Sequence, residues 1–352
     1  MSDMEREPSE RVREAGGVDT RECGFELIEA REVPLGGVRA MNVRRTLPHK
    51  TRFTVGAWCF LDHYGPDDVS ASGGMHVPPH PHTGLQTVSW LFRGEIEHRD
   101  SLGSHQLVRP GEMNLMTAGR GISHSEVSTE ADPVLHGVQL WTLLPEADRH
   151  GEPDFSHTVA ATAQRDAGPA DATITVFIGE LDGIRATATG RTALIGAEIL
   201  LPPNGTISLP VDAGHEHAVL LDAGELSFGG ERVPEHQLGV WRAGKTELTL
   251  AAGARGARVV FLGGEPINEP FVMFWNFIGG SHEEVASARE RWMSDVAEPA
   301  LDGTPVPAAP QFLPVPGYAG DPLRAPAVPQ ATLQPRRRDP ETGAALPRPP
   351  RD

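Results

Sequence analysis

Two cysteines in 352 residues, Cys23 and Cys59, are too few to staple a secreted scaffold, and they lack the spacing of a cysteine metal cluster. Buried free thiols are the expectation. Long apolar runs are missing as well: none approaches the roughly 18–20 residues that a bilayer-crossing helix needs, and Met1-Ser2-Asp3-Met4-Glu5-Arg6 holds no apolar leader. No membrane partner is expected, and a reducing cytoplasm is the default compartment. Positive charge is outnumbered, 31 Lys and Arg against 48 Asp and Glu, for a net charge of -17. A field of that sign repels phosphate backbones and argues against direct nucleic-acid binding. Helical periodicity is scarce, confined to one strong segment near the C-terminal end.

What is present is glycine, proline and short alternating runs. With 39 glycines and 32 prolines, the chain reads as all-β with many tight turns. Its length suits about two domains, and two β-barrels of jelly-roll type follow. Residues 1–20 read as a disordered lead-in, 21–150 as a first barrel, 151–298 as a connector, a second barrel and one helix, and 299–352 as a Pro-rich disordered tail. In the first barrel, 24–33 and 38–45 alternate as half-buried strands, and 53–65 is a nearly continuous apolar run suited to a strand covered on both faces. Residues 87–92 and 95–100 read as a hairpin turning at Arg93-Gly94. Ser281 with Glu284 has capping-box spacing. Val285, Ala288, Trp292, Met293 and Val296 then recur at helical intervals, predicting a helix over 282–297 packed on the second barrel. Fourteen prolines from Pro299 onward leave the tail no core of its own. Arg336-Arg337-Arg338 within it reads as solvated.

The chemistry concentrates between His80 and Glu126. His80 with His82, and His124 with Glu126, are each separated by one residue, a spacing that puts both side chains on one face of a strand. Two such strands facing each other would close a site of three imidazoles and one carboxylate. Pro79 and Pro81 hold the backbone extended around His80, and Gly119 and Gly121 allow a tight bend before His124. Such a donor set suits divalent iron, with nickel, copper, manganese or zinc able to compete. Four protein ligands on an octahedral ion leave two positions open, as in a catalytic site. His63, His76 and His98 lie near the motif and read either as partners of the ligands or as plain pocket-wall residues. His215-Glu216-His217 copies the pair spacing in the second half, yet no His-x-Glu follows and His236 is the only nearby candidate, so the second barrel reads as metal-free.

His80-Pro81-His82-Thr83-Gly84-Leu85-Gln86-Thr87-Val88, Gly94-Glu95 with His98-Arg99-Asp100-Ser101, and Met116 through Glu126 together resemble the signature of the pirin family within the cupin superfamily. The likeness continues through Gln139-Leu140-Trp141 and Gly263-Gly264-Glu265-Pro266, and spans roughly residues 24–295. It implies a bicupin with one metal, usually iron, in the N-terminal barrel, held by His80, His82, His124 and Glu126. It also implies a quercetin 2,3-dioxygenase type of reaction on a phenolic substrate with dioxygen, Glu126 being placed to take the substrate proton. A different implication of the same family is an iron-dependent, redox-sensing regulator that binds a protein partner. Thr83 and Gln86 stand where many relatives have arginine and glutamate. They leave the ligand set intact and bear on pocket specificity.

Overall fold

Alternation along each short run gives it one face to bury, and the chain meets that need by stacking antiparallel sheets. The structure, a computed structural model, describes residues 24–34, 41–297 and 310–347. A seven-stranded sheet runs in spatial order Asp154–Val159, Glu112–Thr117, Leu85–Arg93, Val134–Leu143, Trp58–Asp68, Asn42–Leu47 and Arg31–Pro34. With a four-stranded sheet, His76–His82, Ile122–Ser128, Ile96–Asp100 and His105–Val108, it makes the first barrel. A nine-stranded sheet built on the long strands Glu216–Phe228 and Glu247–Gly264 makes the second. The molecule is mostly β, with two barrels and one main helix, the all-β character that the composition predicts and the bicupin arrangement that the resemblance implies.

Several local expectations need correction. Residues 87–92 and 95–100 are not a hairpin, because Leu85–Arg93 belongs to the seven-stranded sheet and Ile96–Asp100 to the four-stranded one. The chain turns a corner at Gly94, whose φ of 96° suits glycine, and each strand finds other partners. Nor do the strands respect a boundary at residue 150. Phe25–Ile28 pairs with Leu238–Trp241 of the second sheet, and Asp154–Val159 pairs with Glu112–Thr117 of the first. The barrels also share a core, in which Trp58, Trp90 and Leu140 pack with Phe177, Val260 and Leu262. Trp58 Nε1 donates across it to the carbonyls of Ile195 and Gly263 at 3.2 and 3.1 Å. Cys59 is buried as a free thiol, and Cys23 lies outside the described residues.

The helix His282–Trp292 begins where the sequence places it, with Ser281 Oγ accepting from the backbone N–H of Glu284 at 3.3 Å. Its last residues widen into a π-turn over Met293–Ala297. Its apolar face packs not on the second barrel but on the hairpin Val272–Phe274 and Phe277–Gly279 and on Phe312. That hairpin leans on the first barrel, where Ile278 N–H donates to the Thr83 carbonyl, one residue from His82. No helix among the described residues is long and apolar enough to cross a membrane.

The Pro-rich segment is the largest correction. Residues 310–347 lie extended against both barrels instead of hanging free. Phe312 is 1 % exposed and meets Trp292 edge-on at 5.7 Å. Leu323 N–H donates to the Pro79 carbonyl at 2.8 Å and Ser123 Oγ donates to the Leu313 carbonyl. Arg338, read as solvated, is buried against Glu216, whose carboxylate also takes Arg52 at 2.9 Å. Prolines deprive this segment of a ladder of its own, but backbone carbonyls and scattered apolar side chains dock it onto surfaces already built.

Candidate metal centre

Three imidazoles converge on one face of the four-stranded sheet. The strands that carry them are hydrogen-bonded neighbours, not strands facing each other across the barrel: His124 sits opposite His80, and Ile122 opposite His82. The register slips between His124 and Glu126, where Pro78 and Pro79 fall in the partner strand and cannot supply ladder donors. Gly84 ends the histidine strand at φ 69°, and a Cβ there would collide with the Ile278 carbonyl oxygen. That close approach seats the Phe277–Gly279 hairpin beside His82.

Ring centroids stand 4.4 Å apart for His80 and His124 and 5.0 Å for each of the other two pairs. One donor nitrogen from each ring lies within 4.8 Å of the others. His82 Nε2 faces His124 Nε2 at 3.1 Å. All three rings are fully buried. Burial pushes His80, His82 and His124 well below the usual imidazole value, and for His82 and His124 the charge of the neighbouring rings adds to it. They are therefore neutral, with lone pairs available.

Neighbours decide which nitrogen is bare. His80 Nδ1 lies 2.9 Å from the Pro78 carbonyl, an acceptor, so Nδ1 carries the proton. For His124 the control runs through His98, whose Nε2 is 3.1 Å from Asp100 Oδ2 and whose Nδ1 is 3.4 Å from His124 Nδ1. The carboxylate only accepts, so His98 donates to it from Nε2, and His98 Nδ1 is placed to accept from His124 Nδ1. His124 Nε2 is then left bare towards His82. Burial raises the Asp100 carboxyl, but the bonds from His98 and Ser104 outweigh it and hold the group below its ordinary range. His98 itself stacks on Phe155 at 4.5 Å.

Glu126 is placed differently from the other three. Its carboxylate lies within 4.8 Å of donor nitrogens on His124 and His98, and it accepts from Ser89 Oγ at 2.9 Å. The three histidines form one tight group and Glu126 joins it through His124. Trp141 meets His82 edge-on at 5.0 Å and is backed by Phe60, stacked at 3.9 Å. Gln86 spends its amide on Thr117 Oγ1 at 2.8 Å, and Thr83 donates to the Ile278 carbonyl, so both are committed to the wall. Sequence reasoning named His98 only as one option, and it missed Ser89 and Asp100 as supports, because their roles depend on register between strands distant in sequence. Of the other histidines it weighed, His76 is exposed and bonded to Tyr318, while His63 is buried far from that reading, beside Asp222.

The donor chemistry fits a divalent cation. Three buried imidazoles with one nitrogen each within 4.8 Å of the others, two of them facing at 3.1 Å, are the kind of donor set that accommodates a positive ion. Fold and site thus define a bicupin with a buried cluster of metal-type ligands in its first barrel. The model of the pirin family matches residues 38–142, and that of the pirin C-terminal cupin domain matches residues 196–296. The chain belongs to the pirin family. It is 39 % identical to a Pseudomonas aeruginosa protein provisionally named quercetin 2,3-dioxygenase, over 80 % of this chain and 91 % of the relative. A pirin-like protein of Caulobacter vibrioides is 33 % identical over 76 % and 92 %. The crystal structure of a quercetin 2,3-dioxygenase from Acinetobacter baumannii superposes with a TM-score of 0.80 at 31 % identity, covering 90 % of this chain and 99 % of that one.

Proposed function

We propose that the chain is a metal-dependent dioxygenase that cleaves flavonol-like phenols at a mononuclear iron site held by His80, His82, His124 and Glu126. The observation that carries this reading is the convergence of three buried imidazole nitrogens within 4.8 Å of one another, with Glu126 reaching the group through His124. Its likeness to proteins named quercetin 2,3-dioxygenase supports the substrate class. Fe(II) bound there would lower the pKa of a phenolic hydroxyl and would relay electrons from the bound phenolate to dioxygen. The chain's own part is positional. Glu126 takes the hydroxyl proton, while Ser89 Oγ, also 2.9 Å from Gln139 Oε1, holds that carboxylate in place. Trp141, backed by Phe60, gives His82 an apolar neighbour that keeps water from the cluster.

One observation favours a second reading, a redox-sensing protein that binds a protein partner. All four side chains are 1 % exposed or less, which suits an ion held away from any substrate. Oxygen uptake by the Fe(II)-loaded chain separates the two. Uptake that saturates with a flavonol bearing a free 3-hydroxyl, and vanishes with its 3-O-methyl ether, is the expected result. No uptake with any phenol by an iron-loaded chain would remove the enzyme reading in favour of the sensor.

A further inference from the structure

A second set of metal-type donors converges where the two barrels meet, and it shares no residue with the site above. His63 from Trp58–Asp68 and His136 from Val134–Leu143 come from neighbouring strands of the seven-stranded sheet, and Asp222 comes from Glu216–Phe228 of the second barrel. The Nε2 atoms of His63 and His136 lie 2.8 and 2.7 Å from Asp222 Oδ1 and 3.4 Å from each other. One donor atom from each residue is within 4.8 Å of the others. We propose that His63, His136 and Asp222 form a second divalent-metal site, taking an ion of the zinc or cobalt class that ties the first barrel to the second.

Geometry supports it first. Bonds of about 2.0–2.1 Å to a tetrahedral ion set two nitrogen donors about 3.3–3.4 Å apart, the spacing the two rings already have. Only the carboxylate oxygen must retreat, by roughly half an ångström. Arg258 Nη1 stands 3.8 Å from Asp222 Oδ2, which leaves Oδ1 as the single donor oxygen.

Protonation is also suitable. Burial holds His63 down to about 4, so its ring is neutral at physiological pH. For Asp222 burial acts upward, but the bonds from His136 and His63 prevail and keep it a carboxylate.

A plain hydrogen-bonded triad would account for the two nitrogen-to-oxygen contacts; the spacing of the two Nε2 atoms is what the metal adds a reason for, and a further imidazole stands beside them. His63 Nδ1 and His236 Nδ1 are both buried with no hydrogen-bond partner among the described residues. The His236 ring lies 5.2 Å from that of His63, and the backbone N–H of His236 donates to the Leu221 carbonyl, beside Asp222. His236 is held at φ 65°, a left-handed conformation that costs a non-glycine residue about 1–3 kcal/mol. His236 thus stands beside the cluster, outside the three residues whose donor atoms lie within 4.8 Å of one another. His136, at 12 % side-chain exposure, is the edge through which an ion would arrive.

Metal content of the full chain tests this. After chelation, the protein is dialysed against Zn(II) and separately against Co(II), and bound metal per chain is measured for the wild type and variants of each site. Two ions are expected in the wild type, one in His136→Ala, one in Asp222→Asn and one in His124→Ala. Asp222→Asn preserves the side-chain shape, so it reports even where His136→Ala folds poorly. Zn(II) should also raise the melting temperature of the wild type more than that of Asp222→Asn. A wild type that binds one ion, lost in His124→Ala, overturns the proposal, as does a second ion that survives in both His136→Ala and Asp222→Asn. One ion that persists in His124→Ala and is lost in Asp222→Asn would uphold this site and remove the first.

Discussion

Asp100 is one imidazole removed from His124, and it decides which nitrogen of that ring is bare. If the chain Asp100 to His98 to His124 sets the tautomer, Asp100→Asn should weaken metal affinity by about 10- to 100-fold with little change in the circular dichroism spectrum. Competition against a chelator of known affinity measures it, and unchanged affinity would break the relay. The convergence of His80, His82 and His124 was legible in the sequence because one-residue spacing is a local property of a strand. Their supports were not legible. Asp100 and Ser89 reach His98 and Glu126 through cross-strand register, which no run of residues encodes locally. His98 and His63 show the same limit, since a single histidine on a strand carries no mark of what the neighbouring strand brings to it.

Among the elements, the strands and the helix were readable because alternation and helical spacing each leave one apolar face. Partner choice was less so, as the false hairpin across Gly94 and the helix lodged on the 272–279 hairpin demonstrate. The Pro-rich segment was misread for a definite reason. Composition shows that it cannot build a core, yet says nothing about whether single residues such as Phe312 and Arg338 fit sockets elsewhere. Gln311 and Phe312 give their N–H groups to the Asp295 carboxylate at 2.8 and 3.2 Å, and Trp292 Nε1 donates to the Leu323 carbonyl at 2.8 Å. Phe312→Ala empties a socket shared with Trp292 and Phe277 and should cost about 3–5 kcal/mol in urea unfolding. A loss below about 1 kcal/mol would mean that the strap adds nothing to the fold.

At the scale of the molecule, buried neutral histidines make stability depend on pH. Burial holds His63 and His217 down to about 4, whereas in the unfolded chain each takes a proton near ~6.5. Between those values the unfolded state binds more protons, so the stability these rings contribute is whole above ~6.5 and is lost as pH falls towards 4. Asp222, held below the carboxylate range, acts in the same sense further down, its contribution being lost as pH drops below ~4. The melting temperature of the metal-free chain should therefore fall steadily from pH 7 to 4.5. A flat profile in scanning calorimetry would show that these rings are charged in the folded state. The central claim, that the histidine cluster with Glu126 holds an iron that cleaves flavonols, is tested most directly by counting carbon monoxide. The chain is loaded with Fe(II) without air, then given quercetin and dioxygen. The account predicts one carbon monoxide released for each dioxygen consumed, and neither in His124→Ala. Stoichiometric iron with no carbon monoxide, or equal release from the variant, would contradict it.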